Sequence, residues 1–131
     1  MVSRQFYVEF GKVLYALAIA DGVISEKEKK AVIDLVKKKL APLEDVPDKF
    51  GTDLAYYAEF AFETEEDSFD SKEEALASFN MYLKVSHVKL PKQVKDACLE
   101  ILNTLAKTSG NKISAEEQSI IKSFEKNVLV A

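Results

Sequence analysis

This sequence predicts an all-α domain, a compact bundle of about six helices containing two copies of one helix hairpin. Three observations carry that prediction. Apolar residues recur at spacings of three and four along most of the 131-residue chain, which is the signature of amphipathic helices. Serine followed three residues later by glutamate stands at the head of several of these stretches, and that pair closes a helix N-terminus. Only four glycines and three prolines interrupt a chain that is 47% hydrophobic and 31% charged, a composition of helix-rich globular proteins rather than of disordered ones. A chain of this length can bury a core without metal or disulfide staples, so residues 1–131 read as one domain.

The first helix runs from about Ser3 to Asp21, with Phe6, Phe10, Val13, Leu14, Leu17 and Ala18 on one face. Gly22 ends it. Ser25 and Glu28 then form a capping box for a second helix, about Glu26 to Lys39, whose apolar side is Val32, Leu35, Val36 and Leu40. Pro42 follows its lysine-rich end, where cations suit the helix dipole. A loop from about Ala41 to Gly51 leads to a segment from Thr52 to Glu65. This segment is apolar nearly all round, with Leu54, Tyr57, Ala58 and Ala61 on one face and Tyr56 and Phe60 on another, so it reads as a helix that is either core or binding surface. A third capping box, Ser71 with Glu74, opens a helix through Leu76, Phe79 and Leu83 toward His87. Pro91 starts the next, which carries Val94, Ala97, Cys98 and Ile101.

The hairpin text of the N-terminal part recurs near the C-terminus. Leu102, Leu105 and Ala106 precede Gly110 at the distances by which Leu14, Leu17 and Ala18 precede Gly22. Ile113, Ser114, Glu117, Ile121 and Phe124 then repeat Ile24, Ser25, Glu28, Val32 and Leu35, with one extra residue in the turn. Two such copies can bury against each other the faces that one hairpin would leave wet, so the pattern reads as an internal duplication.

Charge narrows the function classes. The stretch from Glu44 to Glu74 holds twelve acidic residues and two lysines, a balance of −10, and the remainder carries +6 within a net charge of −4. An acidic region of this density repels polyanions and attracts cations or basic partners, which disfavours nucleic-acid binding. The apolar run Val13 to Ala20 is too short to span a bilayer, and a single cysteine excludes an internal disulfide. A reducing, cytoplasmic setting is the simplest expectation. Neither a glycine-rich phosphate loop nor a zinc-type His-Glu motif nor a serine elbow occurs, so no enzymatic role is expected. Cys98 and His87 could act as nucleophile and base only if the fold joined them, and a cysteine at a core position is expected to be inert. A carboxylate-dependent hydrolase would need two acids enclosed in a pocket.

The stretch Asp21 to Glu28 is similar to the second half of an EF-hand calcium loop, with Asp-Gly, an isoleucine and a closing glutamate. Leu17 and Ile19 stand where the opening carboxylates would be. Calcium takes about six to eight oxygens, and this loop offers Asp21, the Val23 carbonyl, Ser25 through water and Glu28. The competing reading makes Gly22 the turn, Ile24 a plug and Glu28 a cap.

LAIADGVISEKEKKAVIDLV, with its second copy LAKTSGNKISAEEQSIIKSF, resembles the tellurite-resistance TerB-like family, which is related to the N-terminal domain of membrane-anchored DnaJ-like co-chaperones. The resemblance covers about half of the chain. It implies an all-helical bundle, acidic residues able to gather a divalent cation, and a module of stress-response or membrane-associated complexes. Carried onto this sequence, the metal expectation falls on Asp21 and Glu28; in the second copy Thr108-Ser109-Gly110 replaces Ala-Asp-Gly, leaving Glu117 without its aspartate.

The function expected from all this is a non-catalytic binding module that engages a protein partner through Tyr56, Phe60, Glu65, Glu66 and Asp67. The alternative is a divalent-metal binder or sensor that uses Asp21 and Glu28 or the acidic middle.

Overall fold

The computed structural model describes residues 2–20, 24–43, 56–68, 71–108 and 112–130. Six α-helices make up nearly all of it: α1 (Arg4–Ala18), α2 (Glu26–Leu35), α3 (Tyr56–Ser68), α4 (Lys72–Ser86), α5 (Lys92–Thr108) and α6 (Ala115–Asn127). The expected all-α bundle of about six helices is therefore what forms. Among the described residues, no helix is long and apolar enough to cross a membrane.

The first helix differs from its expected one-sided pattern, because α1 is the axis of the bundle and is covered by α3, α4, α5 and α6. Besides Phe6, Phe10, Val13, Leu14, Leu17 and Ala18, it buries Tyr7, Glu9, Gly11, Tyr15 and Ala16. Ser3 caps it, its hydroxyl accepting the Phe6 N–H at 3.1 Å. Aromatic rings tie it to two neighbours. Phe6 stacks on Phe10 (5.9 Å between centroids), Phe10 meets Phe124 of α6 (5.6 Å), Phe124 stacks on Phe79 of α4 (5.7 Å), and Phe79 returns to Phe6 edge-on (6.5 Å).

Helix α2 does not stop at Leu35. It widens into a π-helical segment, Val36–Leu40, and tightens into a 3-10 turn, Ala41–Leu43, where Pro42 cannot continue an α-helix. Val36 and Leu40 are fully buried through this change of pitch.

The two copies of the hairpin share their local chemistry. In the first, Ser25 Oγ accepts the Glu28 N–H at 3.1 Å and the Glu28 carboxylate accepts the Ser25 N–H at 3.0 Å; in the second, Ser114 and Glu117 make the same pair of bonds at 3.1 and 2.9 Å. Leu14, Leu17 and Ala18 are buried like Leu102, Leu105 and Ala106, and Ile24 and Ile113 both pack against the core. Leu35 is half-buried where its counterpart Phe124 is buried. Gly22 and Gly110 lie outside the described residues.

The third box forms only in part. Ser71 Oγ accepts the Glu74 N–H at 3.1 Å, but the Glu74 carboxylate turns to the Ser71 hydroxyl at 3.2 Å. At the other end, α4 stops at Ser86, one residue short of His87, which adopts a left-handed conformation (φ 49°, ψ 54°) and redirects the chain. The chain then forms β1 (Lys89–Leu90), which pairs in parallel with β2 (Leu129–Val130) beyond α6, Lys89 opposite Leu129 and Leu90 opposite Val130. This small sheet is a departure from the purely helical reading, since two-residue strands leave no periodicity to detect.

Candidate protein-binding surface

Helix α3 resolves the double reading of its segment, for it is core on one side and surface on the other. Ala58, Ala61, Phe62 and Glu65, at helical spacings of three and four, are buried, and α3 lies along α1. Phe62 meets Tyr15 edge-on at 6.5 Å. The approach is close because Gly11 has no side chain: a Cβ there would collide with the Ala58 carbonyl oxygen and lie 2.6 Å from the Ala61 Cβ. At the start of the helix the Arg4 guanidinium sits over the Tyr57 ring at 5.6 Å. Leu54 lies outside the described residues.

The opposite side of α3 is charged and meets α2 across a cleft of about 320 Å³. Glu59, Glu63, Glu66 and Asp67 from α3 and Glu26 from α2 face it, against Lys29 and Lys30, and Ile33 and Phe62 supply apolar surface. Lys29 bridges the two helices, its Nζ 3.1 Å from Glu66 and 3.3 Å from Glu26. The hydrogen bond that Lys29 donates to Glu66, then the one it donates to Glu26, raises its ammonium above the ordinary pKa. Among the described residues, five carboxylates against two ammonium groups leave the cleft acidic.

Glu59 responds to that excess. Its carboxyl is raised above the usual range, first by burial and then by the Glu63 charge one turn along. A raised carboxyl disfavours the ionised fold, so this destabilising contribution is present above the folded pKa and relieved as pH falls through it. Glu59→Gln should stabilise the protein at pH 7 by about 0.2–0.5 kcal/mol, the scale of a solvent-screened like-charge pair at this spacing. The gain should vanish below the ordinary carboxylate range, as followed by thermal melts at both pH values; an equal gain at both would remove ionisation as its cause.

The residues expected to bind a partner divide between the two sides. Phe60 is 51% exposed and Tyr57 meets its ring edge-on at 5.9 Å. Tyr56 is half-buried against the core. Asp67 is exposed and Glu66 is held by Lys29. Glu65 lies inside, 8% exposed, and is not presented to a partner; seven residues beyond Ala58, it falls on the buried stripe. Glu63 is exposed and lines the cleft.

Of the expected metal ligands, Asp21 lies outside the described residues. Glu28 is 3% exposed and its Oε1 accepts both the N–H and the hydroxyl of Ser25, at 3.0 and 3.1 Å. Among the described residues, no group of three or more His, Cys, Asp or Glu side chains is placed to hold a metal. The cap bonds predict that Glu28→Ala costs about 1 kcal/mol, measurable by urea denaturation in the presence of a chelator; no loss under those conditions would deny the cap its structural role.

Cys98 is fully buried in α5, where burial pushes its thiol pKa up, while His87 is exposed beyond α4. A buried neutral thiol is a poor nucleophile. The sequence reading overlooked one polar cluster. Glu9 of α1, 4% exposed, accepts from Gln5 Nε2 (3.2 Å), Lys12 Nζ (3.1 Å) and Ser78 Oγ of α4 (2.9 Å), and Lys12 Nζ also donates to Ser78 Oγ (2.9 Å). These bonds join α1 to α4. Glu9 escapes notice in the sequence because only a helix surrounded by others buries that side.

Comparison with protein families, with characterised proteins and with solved structures gives no match.

Proposed function

We propose that this chain is a non-catalytic helical binding module of the TerB-like type, cytoplasmic, acting in a stress-response or membrane-associated complex. It engages a basic segment of a protein partner on the α2–α3 face. The observation that supports this reading is the acidic cleft between α2 and α3; the exposed ring of Phe60 stands on α3 outside the lining of that cleft. A lysine- or arginine-rich segment would meet carboxylates that repel one another in its absence, and an apolar residue of that segment could cover Phe60.

Fluorescence anisotropy with a labelled peptide of alternating lysine and leucine tests the charge component. Wild-type protein should bind it with an affinity that falls as salt rises. Glu63→Lys with Asp67→Lys should weaken binding by about tenfold or more, since like charges across an interface are costly. Equal binding by the double variant, or none by the wild type, would overturn the assignment.

A further inference from the structure

A second site lies away from the acidic face, between α4 and α6. These helices run parallel and are fastened at both ends. Lys72 in the first turn of α4 pairs with Glu116 in the first turn of α6, and β1 pairs with β2 just beyond their C-terminal ends. A half-open pocket of about 150 Å³ remains between the two helices.

Its floor is Val13 of α1 with Phe79 and Phe124, whose rings stack 5.7 Å apart at 8°, while Phe124 is also held by Phe10. Those ring contacts keep either phenylalanine from swinging into the space. Leu76, Leu83 and Ile120 form the walls, and the rim is Asn80, Ser119 and Ser123. Among the described residues, no charged side chain lines the pocket, although 31% of the chain is charged. Ser123 Oγ accepts from Asn127 Nδ2 at 3.2 Å, and a serine hydroxyl can both accept and donate.

We propose that this pocket binds a small neutral organic ligand, a single ring or branched alkyl group bearing one hydroxyl or carbonyl oxygen. Size sets the first limit: an apolar cavity of about 150 Å³ lined by such side chains takes a benzene-sized molecule. Charge sets the second, for a carboxylate or ammonium would lose its hydration with no counter-charge in the lining. The polar rim sets the third, with a serine donor and an amide placed to take one oxygen.

The test uses phenol as probe, with benzoate and benzylammonium as charged counterparts, and follows side-chain methyl resonances of the full chain. Phenol should bind saturably in the range of about 0.1–1 mM, with its largest shifts at Leu76, Leu83 and Ile120, and the charged analogues should bind at least about tenfold more weakly. Ser123→Leu, a change at an exposed helix position that places a side chain across the mouth, should abolish phenol binding with the melting temperature kept. Ser119→Leu serves the same purpose should Ser123→Leu fail to fold. Glu63→Lys with Asp67→Lys should leave phenol binding unchanged, which separates this site from the α2–α3 face. The proposal is overturned by benzoate binding as tightly as phenol, by shifts centred elsewhere, by the absence of saturable binding, or by undiminished binding to a folded filling variant.

Discussion

Gly11→Ala should destabilise the protein by about 2–3 kcal/mol, the cost of forcing an extra group into a close-packed contact. The sign is the informative part. In a solvent-facing helix the same change gains about 1 kcal/mol from backbone propensity, and α1 is a helix on both sides of Gly11. What reverses the outcome is the Ala58 carbonyl of α3, which a Cβ at position 11 would strike, together with the Ala61 Cβ at 2.6 Å. The first obstacle is backbone, so no rotamer change relieves it, and α3 would have to move off α1. A lowering of the melting temperature by several degrees is the expected reading for a domain of this size; a higher melting temperature would mean that α1 and α3 do not meet at this glycine.

Phe10→Ala should cost about 3–5 kcal/mol, the range for truncating a buried phenylalanine. Phe10 is 0% exposed and touches both Phe6 and Phe124, so its loss opens a void between α1 and α6 that neighbours cannot fill by rotation alone. Such a loss is a large fraction of the stability of an ordinary domain, about 5–15 kcal/mol. Phe60→Ala serves as control, because that ring is half exposed on α3 and should change stability by no more than about 0.5 kcal/mol. Equal losses from the two substitutions would contradict the placement of one ring in the core and the other on the surface. If the aromatic contact matters beyond area, truncating Phe10 and Phe124 together should cost less than the sum of the separate losses, by about 0.5–1.5 kcal/mol.

Local signals were legible in the sequence wherever a residue acts on its own helix. The capping boxes at Ser25 and Ser114 form with closely similar bonds because serine and glutamate at that spacing meet whatever the rest of the chain does. The apolar stripes of α5 and α6 are read correctly for the same reason: each has one buried side, and the sequence period shows which. The charge excess around α3 was equally plain, because net charge is a property of composition.

What the sequence could not decide is where one helix meets another. α1 carries polar and small residues on its second side, and only the surrounding helices make Glu9 an interior acid and Gly11 a contact point. Glu65 and Glu66 are adjacent and chemically alike, yet the rotation of α3 on α1 places one inside and delivers the other to Lys29. The pairing of β1 with β2 joins residues some forty positions apart through two hydrogen-bonding residues on each side, and no local period announces it. The sequence by itself therefore determined six helices, the starts of those that open at Ser25, Ser71 and Ser114, and their charge, since these follow from side chains acting within a few residues of one another. Tertiary structure alone decided which side of α1 and α3 is interior and where a cleft and a pocket remain open, because those depend on distances between segments that the linear order does not contain.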